Sequence, residues 1–174
     1  MIPLVRRTIT VTQGEFRAER EPDVVLSTIL GSCVAVCLYD PGVGVGGMNH
    51  FLLPQGQDTP GGRSERYGVN AMEQLINALL RMGARRKSLV AKAFGAANMT
   101  ERLSPIGDAN ATFTRDFLLA ESIACVAESF GGVNARKVLF HPATGTARQM
   151  IVPGDFDEPR KPVPAVLKPD ITLF

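Results

Sequence analysis

The first third of the chain is patterned for β-strands. β-Branched and apolar residues fill four segments, which span residues 8–12, 24–30, 33–39 and 44–53. Asp40, Pro41 and Gly42 lie between the last two segments and have the composition of a turn, because proline fixes φ and glycine accepts a positive φ. The pattern therefore predicts a hairpin that brings these two strands side by side.

Two helices with one apolar face each are predicted further along the chain. The first spans residues 67–82, and Gly83 is placed to end it. Its apolar positions are Val69, Met72, Leu75, Ile76, Leu79 and Leu80. The second is expected over about residues 109–130, with Phe113, Phe117, Ala120, Ala124 and Ala127 on one face. Short strands are predicted over 89–94, 137–140 and 147–152.

The order of these elements favours an α+β fold. Strands come first as a block and helices follow among further strands, unlike the regular alternation of a doubly wound sheet. We expect one domain over residues 1–152, since the chain is long enough for a single core. Residues 55–65 contain almost nothing apolar, which predicts a surface loop. Residues 153–174 contain five prolines, which predicts an extended C-terminal extension.

Composition and charge narrow the classes of function. The net charge of +2 is too small to indicate nucleic-acid binding. The densest basic group is expected to complement the negative end of the first helix dipole; it comprises Arg81, Arg85, Arg86 and Lys87. No apolar stretch reaches the roughly 20 residues that cross a bilayer, no secretory signal is visible, and an odd number of cysteines suits a reducing compartment. These features predict a cytoplasmic protein without membrane insertion.

Cys33 and His50 are the candidate reactive pair. Only His50 and His141 can supply an imidazole, and the predicted hairpin can bring His50 beside Cys33. An imidazolium next to a thiol favours the nucleophilic thiolate, and it can then protonate a leaving nitrogen. Gly31 lets the backbone approach a substrate carbonyl closely, so that peptide N–H groups can bind an oxyanion. The pair predicts a cysteine hydrolase.

Packing and metal binding are the competing interpretations of these residues. A cysteine in an apolar strand more often serves packing, and Cys37 and Cys125 are both expected to pack in the core, in a strand and in a helix. His141 is expected at the surface or in a cap. In an extended segment, positions four apart are separated by roughly 13 Å, which excludes a zinc site or a disulfide that uses both Cys33 and Cys37. No cofactor is expected.

Two blocks of sequence carry a resemblance to a known family. They are residues 27–40, Ser-Thr-Ile-Leu-Gly-Ser-Cys-Val-Ala-Val-Cys-Leu-Tyr-Asp, and residues 47–54, Gly-Met-Asn-His-Phe-Leu-Leu-Pro. Both blocks closely resemble the CheD family of chemoreceptor glutamine deamidases in residue type, and so does the spacing from Cys33 to His50. The resemblance covers residues 5–152, with departures at Ala96, Ala109 and Phe130.

The resemblance implies a fold and an activity. The fold is a mixed β core of sandwich-like sheets flanked by helices, similar to toxin-type cysteine deamidases. The activity is hydrolysis of selected glutamine side chains, in the cytoplasmic helical domains of methyl-accepting chemotaxis receptors, to glutamate through a cysteine thioester. The family's nucleophile falls on Cys33, its histidine on His50 and its third catalytic position on Ser27, with the adjacent Thr28 as the other hydroxyl that can orient the imidazole.

Two other functions stay open on the sequence. The chain can be a binding module that regulates a CheC-type chemotaxis phosphatase, in which the loop at 55–65 and the proline-rich tail would provide contacts. A cysteine protease would use the same nucleophile, but nothing in the sequence specifies a cleft for a peptide bond.

Overall fold

The computed structural model describes residues 5–54, 62–100 and 104–153. Nine strands, two α-helices and one short 3-10 helix occur in this part of the chain. In chain order they are β1 (Arg7–Thr10), β2 (Phe16–Glu19), β3 (Val24–Leu30), β4 (Val34–Asp40), β5 (Val45–Asn49), α1 (Arg63–Arg81), the 3-10 helix (Arg86–Ser88), β6 (Val90–Gly95), α2 (Ser104–Ala120), β7 (Ala124–Phe130), β8 (Ala135–His141) and β9 (Thr146–Val152).

The strands form two mixed sheets. The first sheet has the order β1-β3-β8-β9, in which β1 and β3 are parallel and the other neighbours are antiparallel. The second sheet has the order β2-β5-β4-β6-β7, in which only β6 and β7 are parallel. A mixed β core with two helices beside it confirms the expected α+β fold.

Two apolar clusters arrange the elements in three layers. One cluster joins the two sheets, and its members include Val24, Leu26, Leu30, Ala35, Cys37, Met48 and Phe140. The other joins the second sheet to the helices, and its members include Val34, Val36, Leu38, Met72, Leu75, Ile76 and Phe117. Strand β4 contributes alternate residues to both clusters, which explains why its sequence is a continuous apolar run. The second sheet is therefore the central layer.

The hairpin predicted around Asp40 is formed by β4 and β5. The two strands are antiparallel, and the N–H of Gly44 donates to the C=O of Asp40 at 3.0 Å to close the turn. A further backbone pair, Val34 with Phe51, extends the same register beyond the end of β5. Strand β5 is shorter than predicted, so His50 lies directly after it.

Helix α1 confirms the first predicted helix. It begins at Arg63 rather than Tyr67, so the end of the predicted loop at 55–65 belongs to the helix. Gly83 follows the helix in the left-handed conformation, with φ of 100°. Val69 is 37% exposed and does not belong to the apolar face. The buried residues of α1 are Gly68, Met72, Leu75, Ile76 and Leu79.

The second predicted helix was too long at its C-terminal end. Helix α2 ends at Ala120, and the chain then forms β7, which runs parallel to β6. Ser122 has a φ of 56°, and the N–H of Ile123 donates to the C=O of Leu118 at 2.9 Å, so Ser122 stands where glycine usually ends a helix. Cys125 is exposed on β7, and its predicted packing in a helix core was wrong.

The basic group at the end of α1 has two roles. Arg81 lies in the last turn of α1, as the dipole argument predicts. Arg86 lies beyond the helix, and its guanidinium contacts Glu73 of α1 at 3.0 Å and Glu121 after α2 at 2.6 Å. Arg86 therefore links the two helices.

Beyond Pro153, the predicted proline-rich extension lies outside the described residues. The part of the predicted loop before residue 62 lies outside them as well. Among the helices that the structure describes, none combines the length and apolar character of a membrane span.

Asp40 stabilises the turn of the β4–β5 hairpin. Its carboxylate accepts the backbone N–H of Gly42 at 2.8 Å and that of Arg85 at 2.9 Å. The bond from Arg85, followed by that from Gly42, lowers the pKa of Asp40 below its usual value, because both bonds favour the charged form.

We predict that Asp40→Ala lowers the free energy of unfolding by about 1–2 kcal/mol at pH 7, since two N–H groups lose a charged acceptor. A lowered native pKa means that this contribution is present above the ordinary carboxyl pKa and is lost as pH falls through the native value. Urea unfolding of both proteins between pH 7 and pH 3 should therefore show a difference that shrinks in acid. A difference that is constant across this range would contradict the assignment.

Candidate active site

The hairpin places Cys33 and His50 on the same face of the second sheet. Val34 and Phe51 form a backbone pair with N–H to C=O distances of 3.0 and 2.9 Å, and Cys33 and His50 each come one residue before a member of that pair. Such positions in antiparallel strands are diagonal neighbours, with Cα atoms about 7–8 Å apart. Both side chains point toward the first sheet, where Cys33 belongs to the cluster between the sheets.

The first sheet holds the imidazole of His50. Its Nδ1 lies 2.8 Å from Oγ1 of Thr28 and 3.3 Å from the C=O of Val11, and the Thr28 hydroxyl donates to that same C=O at 2.7 Å. A carbonyl oxygen only accepts, so we assign the single hydroxyl proton of Thr28 to the bond with Val11 and a proton to Nδ1 of His50, which then donates to Thr28. The lone pair of the neutral imidazole is then on Nε2, the nitrogen suited to proton transfer.

Thr28, and not Ser27, is the hydroxyl that the structure brings to His50. Successive residues of a strand point to opposite faces of the sheet. Thr28 shares its face of β3 with Leu26 and Leu30, which pack between the sheets, so the side chain of Ser27 points to the other face. Both hydroxyl-bearing residues are buried, but only Thr28 lies against the imidazole.

Hydrogen bonds fix the loop that carries Cys33. Its carbonyl groups accept three donors: Gly31 from the N–H of Ala97 at 2.9 Å, Ser32 from the side-chain amide of Asn110 at 2.8 Å, and Cys33 from the N–H of Ala96 at 2.7 Å. Gly95 permits this close approach, since a Cβ at that position would lie 2.1 Å from the carbonyl oxygen of Cys33. The main chain at Cys33 is thus held against the end of β6.

Asn110 connects the two halves of the site. Its side chain is fully buried, donates to the C=O of Ser32 and accepts the N–H of Leu53 at 3.0 Å. Ser32 precedes Cys33, and Leu53 follows His50 by three positions, so one amide spans both segments. Sequence reasoning missed this residue, because a buried asparagine within a helix has no local signature; its only signal was its place in the stretch that resembles the family.

The thiol of Cys33 is covered in this structure. Cys33 is 0% exposed, and His50 is 5% exposed. The thiol donates to Oε1 of Gln13, with 3.7 Å between sulfur and oxygen. Nothing in the sequence pointed to Gln13, since the contact depends on how the turn before β2 lies against the second sheet.

A cavity of about 240 Å³ lies beside His50. Residues from the turn before β2, from His50 and from α1 line it, among them Gly14, Phe16, His50, Tyr67, Asn70 and Gln74. Tyr67 lines this cavity together with His50. Its pKa is raised, first by burial and then by the charge of Cys33. Among the described residues, this cavity therefore gives access to His50.

The contacts of Cys37 and His141 fit structural roles. Cys37 is fully buried as predicted, and burial raises the pKa of its thiol strongly. His141 contacts the C=O of Pro22 through Nε2 at 2.7 Å and the hydroxyl of Thr144 through Nδ1 at 3.0 Å, so it caps the turn before β9. The three cysteines are free thiols, and the described residues contain no group of three or more side chains arranged to hold a metal ion.

Comparison with known proteins identifies relatives over most of the chain. A family model described as "CheD chemotactic sensory transduction" matches residues 52–150. A protein of Rhizobium meliloti (strain 1021) named "Probable chemoreceptor glutamine deamidase CheD" is 53% identical over 150 residues, which cover 85% of this chain and 82% of that protein. A protein of the same name from Caulobacter vibrioides (strain NA1000 / CB15N) is 50% identical over 173 residues, which cover 95% and 92%.

Solved structures are more distant. The hypothetical protein YfiH of Bacillus licheniformis aligns with a TM-score of 0.44 and 15% identity, over 66% of this chain and 49% of that one. This similarity is too low to bear on fold or function. The matches in sequence are much stronger, since about half of the aligned positions are identical over 82% and 92% of the two relatives. They show that this chain belongs to the CheD family.

Proposed function

We propose that this chain hydrolyses glutamine side chains of chemoreceptors to glutamate, with Cys33 as the nucleophile, His50 as its proton-transfer partner and Thr28 as the residue that orients His50. Both relatives are named as chemoreceptor glutamine deamidases. The observation that carries the proposal is the order of the three side chains, in which His50 is a diagonal neighbour of Cys33 and bonds Thr28 through Nδ1. A nucleophile, a base and a group that orients the base form the recurring arrangement of covalent hydrolases.

In the first half of the reaction, Nε2 of His50 takes the thiol proton of Cys33. The thiolate attacks the side-chain carbonyl carbon of the substrate glutamine, which forms a C–S bond and an oxyanion. The imidazolium then gives its proton to the leaving nitrogen, the C–N bond breaks and ammonia departs. The product of this half is a thioester between Cys33 and the substrate.

In the second half, His50 takes a proton from a water molecule whose oxygen attacks the thioester carbon. The C–S bond breaks, the sulfur of Cys33 recovers a proton, and the substrate leaves as glutamate. One water is consumed and one ammonia is released for each glutamine. Both halves use the same nitrogen of His50 in alternating protonation states.

Thr28 keeps the ring of His50 oriented through both halves. When Nε2 gains a proton, Nδ1 still carries its own and still donates to Thr28, so the bond persists in the imidazole and in the imidazolium. The C=O of Val11 accepts the Thr28 hydroxyl proton throughout. Thr28 is accordingly a positioning residue that acts through His50.

The depth of the thiol favours glutamine as the substrate side chain. Cys33 is fully covered, so a substrate group has to reach the thiol on a slender stem. Glutamine presents its carboxamide on two methylene groups. We propose that the glutamines lie on the cytoplasmic helical segments of the receptors, whose surfaces present single side chains outward, and that the protein acts in the cytoplasm.

The alternative of a binding module for a CheC-type phosphatase stays a prediction. The sequence features that suggested it, the loop at 55–65 and the proline-rich tail, lie mostly outside the described residues. The two functions differ in what they require of Cys33: an adaptor works without its thiol, whereas the deamidase does not.

Replacement of the nucleophile tests the proposed function. We expect Cys33→Ala to lower the rate of deamidation of a receptor fragment by roughly 10³-fold or more, since loss of a covalent nucleophile removes most of the acceleration. Mass spectrometry follows the gain of about one dalton that accompanies each conversion of an amide to an acid. Cys125→Ala is the matched control, because that thiol is exposed on β7, and its rate should equal that of the wild type. Equal rates for Cys33→Ala and wild type would refute the proposal.

The two neighbouring hydroxyls of β3 test the orientation of His50. We predict that Thr28→Ala lowers kcat by roughly 10- to 100-fold, the effect of leaving a buried polar group without its partner. Thr28→Ser keeps the hydroxyl and should retain most of the activity, and Ser27→Ala should change kcat little, because Ser27 points to the other face. Steady-state kinetics of the three variants on one receptor fragment decide this. A larger loss in Ser27→Ala than in Thr28→Ala would assign the role to Ser27 instead.

A further inference from the structure

A glutamine of the chain itself lies at the candidate nucleophile. Oε1 of Gln13 accepts the thiol proton of Cys33 at a sulfur to oxygen distance of 3.7 Å. Gln13 carries the same functional group as the proposed substrate, a primary carboxamide at the end of two methylenes. The contact therefore shows a carboxamide bound beside the Cys33 sulfur.

The main chain around Gln13 is anchored to His50. The turn that contains Gln13 is closed by the N–H of Glu15, which donates to the C=O of Thr12 at 2.9 Å, and Gly14 has the positive φ of 86° that such turns require. The N–H of Gly14 donates to the C=O of His50 at 2.8 Å, and the N–H of His50 donates to the C=O of Glu15 at 3.0 Å. These bonds set the position of the Gln13 side chain relative to the reactive pair.

The side chain of Gln13 can leave without disturbing that anchor. None of the bonds that hold the turn involves its carboxamide, and rotation about its side-chain bonds moves the amide while the backbone stays in place. Gln13 is half-buried, whereas Cys33 is fully covered. The cavity lined by His50 also contacts Gly14 and Glu15, the residues that follow Gln13 in the turn.

We propose that Gln13 occupies the subsite that takes the carboxamide of a substrate glutamine, so that substrate binds only after the Gln13 side chain has moved away. This inference rests on the proposed function, because it names the place where the substrate amide binds. Gln13 also opposes the effect of His50 on the sulfur, since a hydrogen bond from the thiol favours the protonated form. The chain thereby competes with its own substrate and shields its nucleophile until one arrives.

Alkylation of Cys33 by iodoacetamide tests the occupancy without any substrate. We expect Gln13→Ala to raise the alkylation rate of Cys33 by roughly 2- to 10-fold, the equivalent of one hydrogen bond. Gln13→Glu should lower it below the wild-type rate, because a carboxylate at the same place binds the thiol proton more strongly. Peptide mass spectrometry resolves the cysteines: exposed Cys125 normalises the reagent, and buried Cys37 must stay unreactive in every variant that is correctly folded.

Kinetics on a receptor fragment provide the second arm. A site that is open only part of the time has an apparent affinity reduced by that fraction. Gln13→Ala should therefore lower KM. Gln149→Ala is the control, because Gln149 is exposed on β9 of the first sheet, and it should change neither value.

The inference and the proposed function fail in different ways. If Cys33 is alkylated at one rate in wild type, Gln13→Ala and Gln13→Glu, Gln13 does not occupy the subsite, even if Cys33→Ala abolishes deamidation. If Cys33→Ala leaves deamidation intact, the proposed function fails, whatever the alkylation rates are.

Discussion

The hydrogen bond between Nδ1 of His50 and Thr28 makes the reactive pair depend on the packing of the two sheets. His50 follows β5 of the second sheet, and Thr28 lies on β3 in the interior of the first. The Thr28 hydroxyl donates in turn to the C=O of Val11, which the parallel pairing of β1 and β3 brings alongside. The N–H of Val11 donates to the backbone C=O of Ser27 at 2.8 Å. The imidazole is therefore oriented only when both sheets are formed and packed together.

Two cysteines on one face of the second sheet show how position separates chemistry from packing. Cys33 and Cys37 both belong to the cluster between the sheets, and both are fully buried. Cys37 is deep in this cluster, where burial raises the pKa of its thiol so that it stays neutral. Cys33 lies at the end of the strand, where Gln13 accepts its thiol proton and His50 is a diagonal neighbour. Burial alone does not distinguish the two thiols, whereas their polar neighbours do.

The fold class, the hairpin and the first helix were predictable because each has a local cause. The turn chemistry at Asp40 and the helical spacing that ends at Gly83 are written in adjacent residues. Strand β2 was not predicted, since its four residues, Phe-Arg-Ala-Glu, are too few for a clear alternating pattern and depend on β5 for their pairing. The boundary between α2 and β7 was missed because Ser122, rather than a glycine, adopts the left-handed conformation there.

Less of the site than of the fold could be read from the sequence. The pair itself followed from the scarcity of histidine and the hairpin, but the choice between Ser27 and Thr28 depends on which face of β3 meets the second sheet. Asn110 and Gln13 act over distances in sequence of 78 and 20 positions, and such contacts leave no periodic pattern. Long-range hydrogen bonds of buried amides are visible only once the sheets and helices have been assembled.

The dependence of Cys33 reactivity on pH tests the central claim, that His50 promotes ionisation of this particular thiol. Alkylation of Cys33 should be measured between pH 5 and pH 10 in wild type and in His50→Gln, with exposed Cys125 as the internal reference in each sample. The account predicts that the wild-type profile rises at lower pH than the profile of His50→Gln, because an imidazolium beside the sulfur favours the thiolate. Superimposable profiles would contradict it.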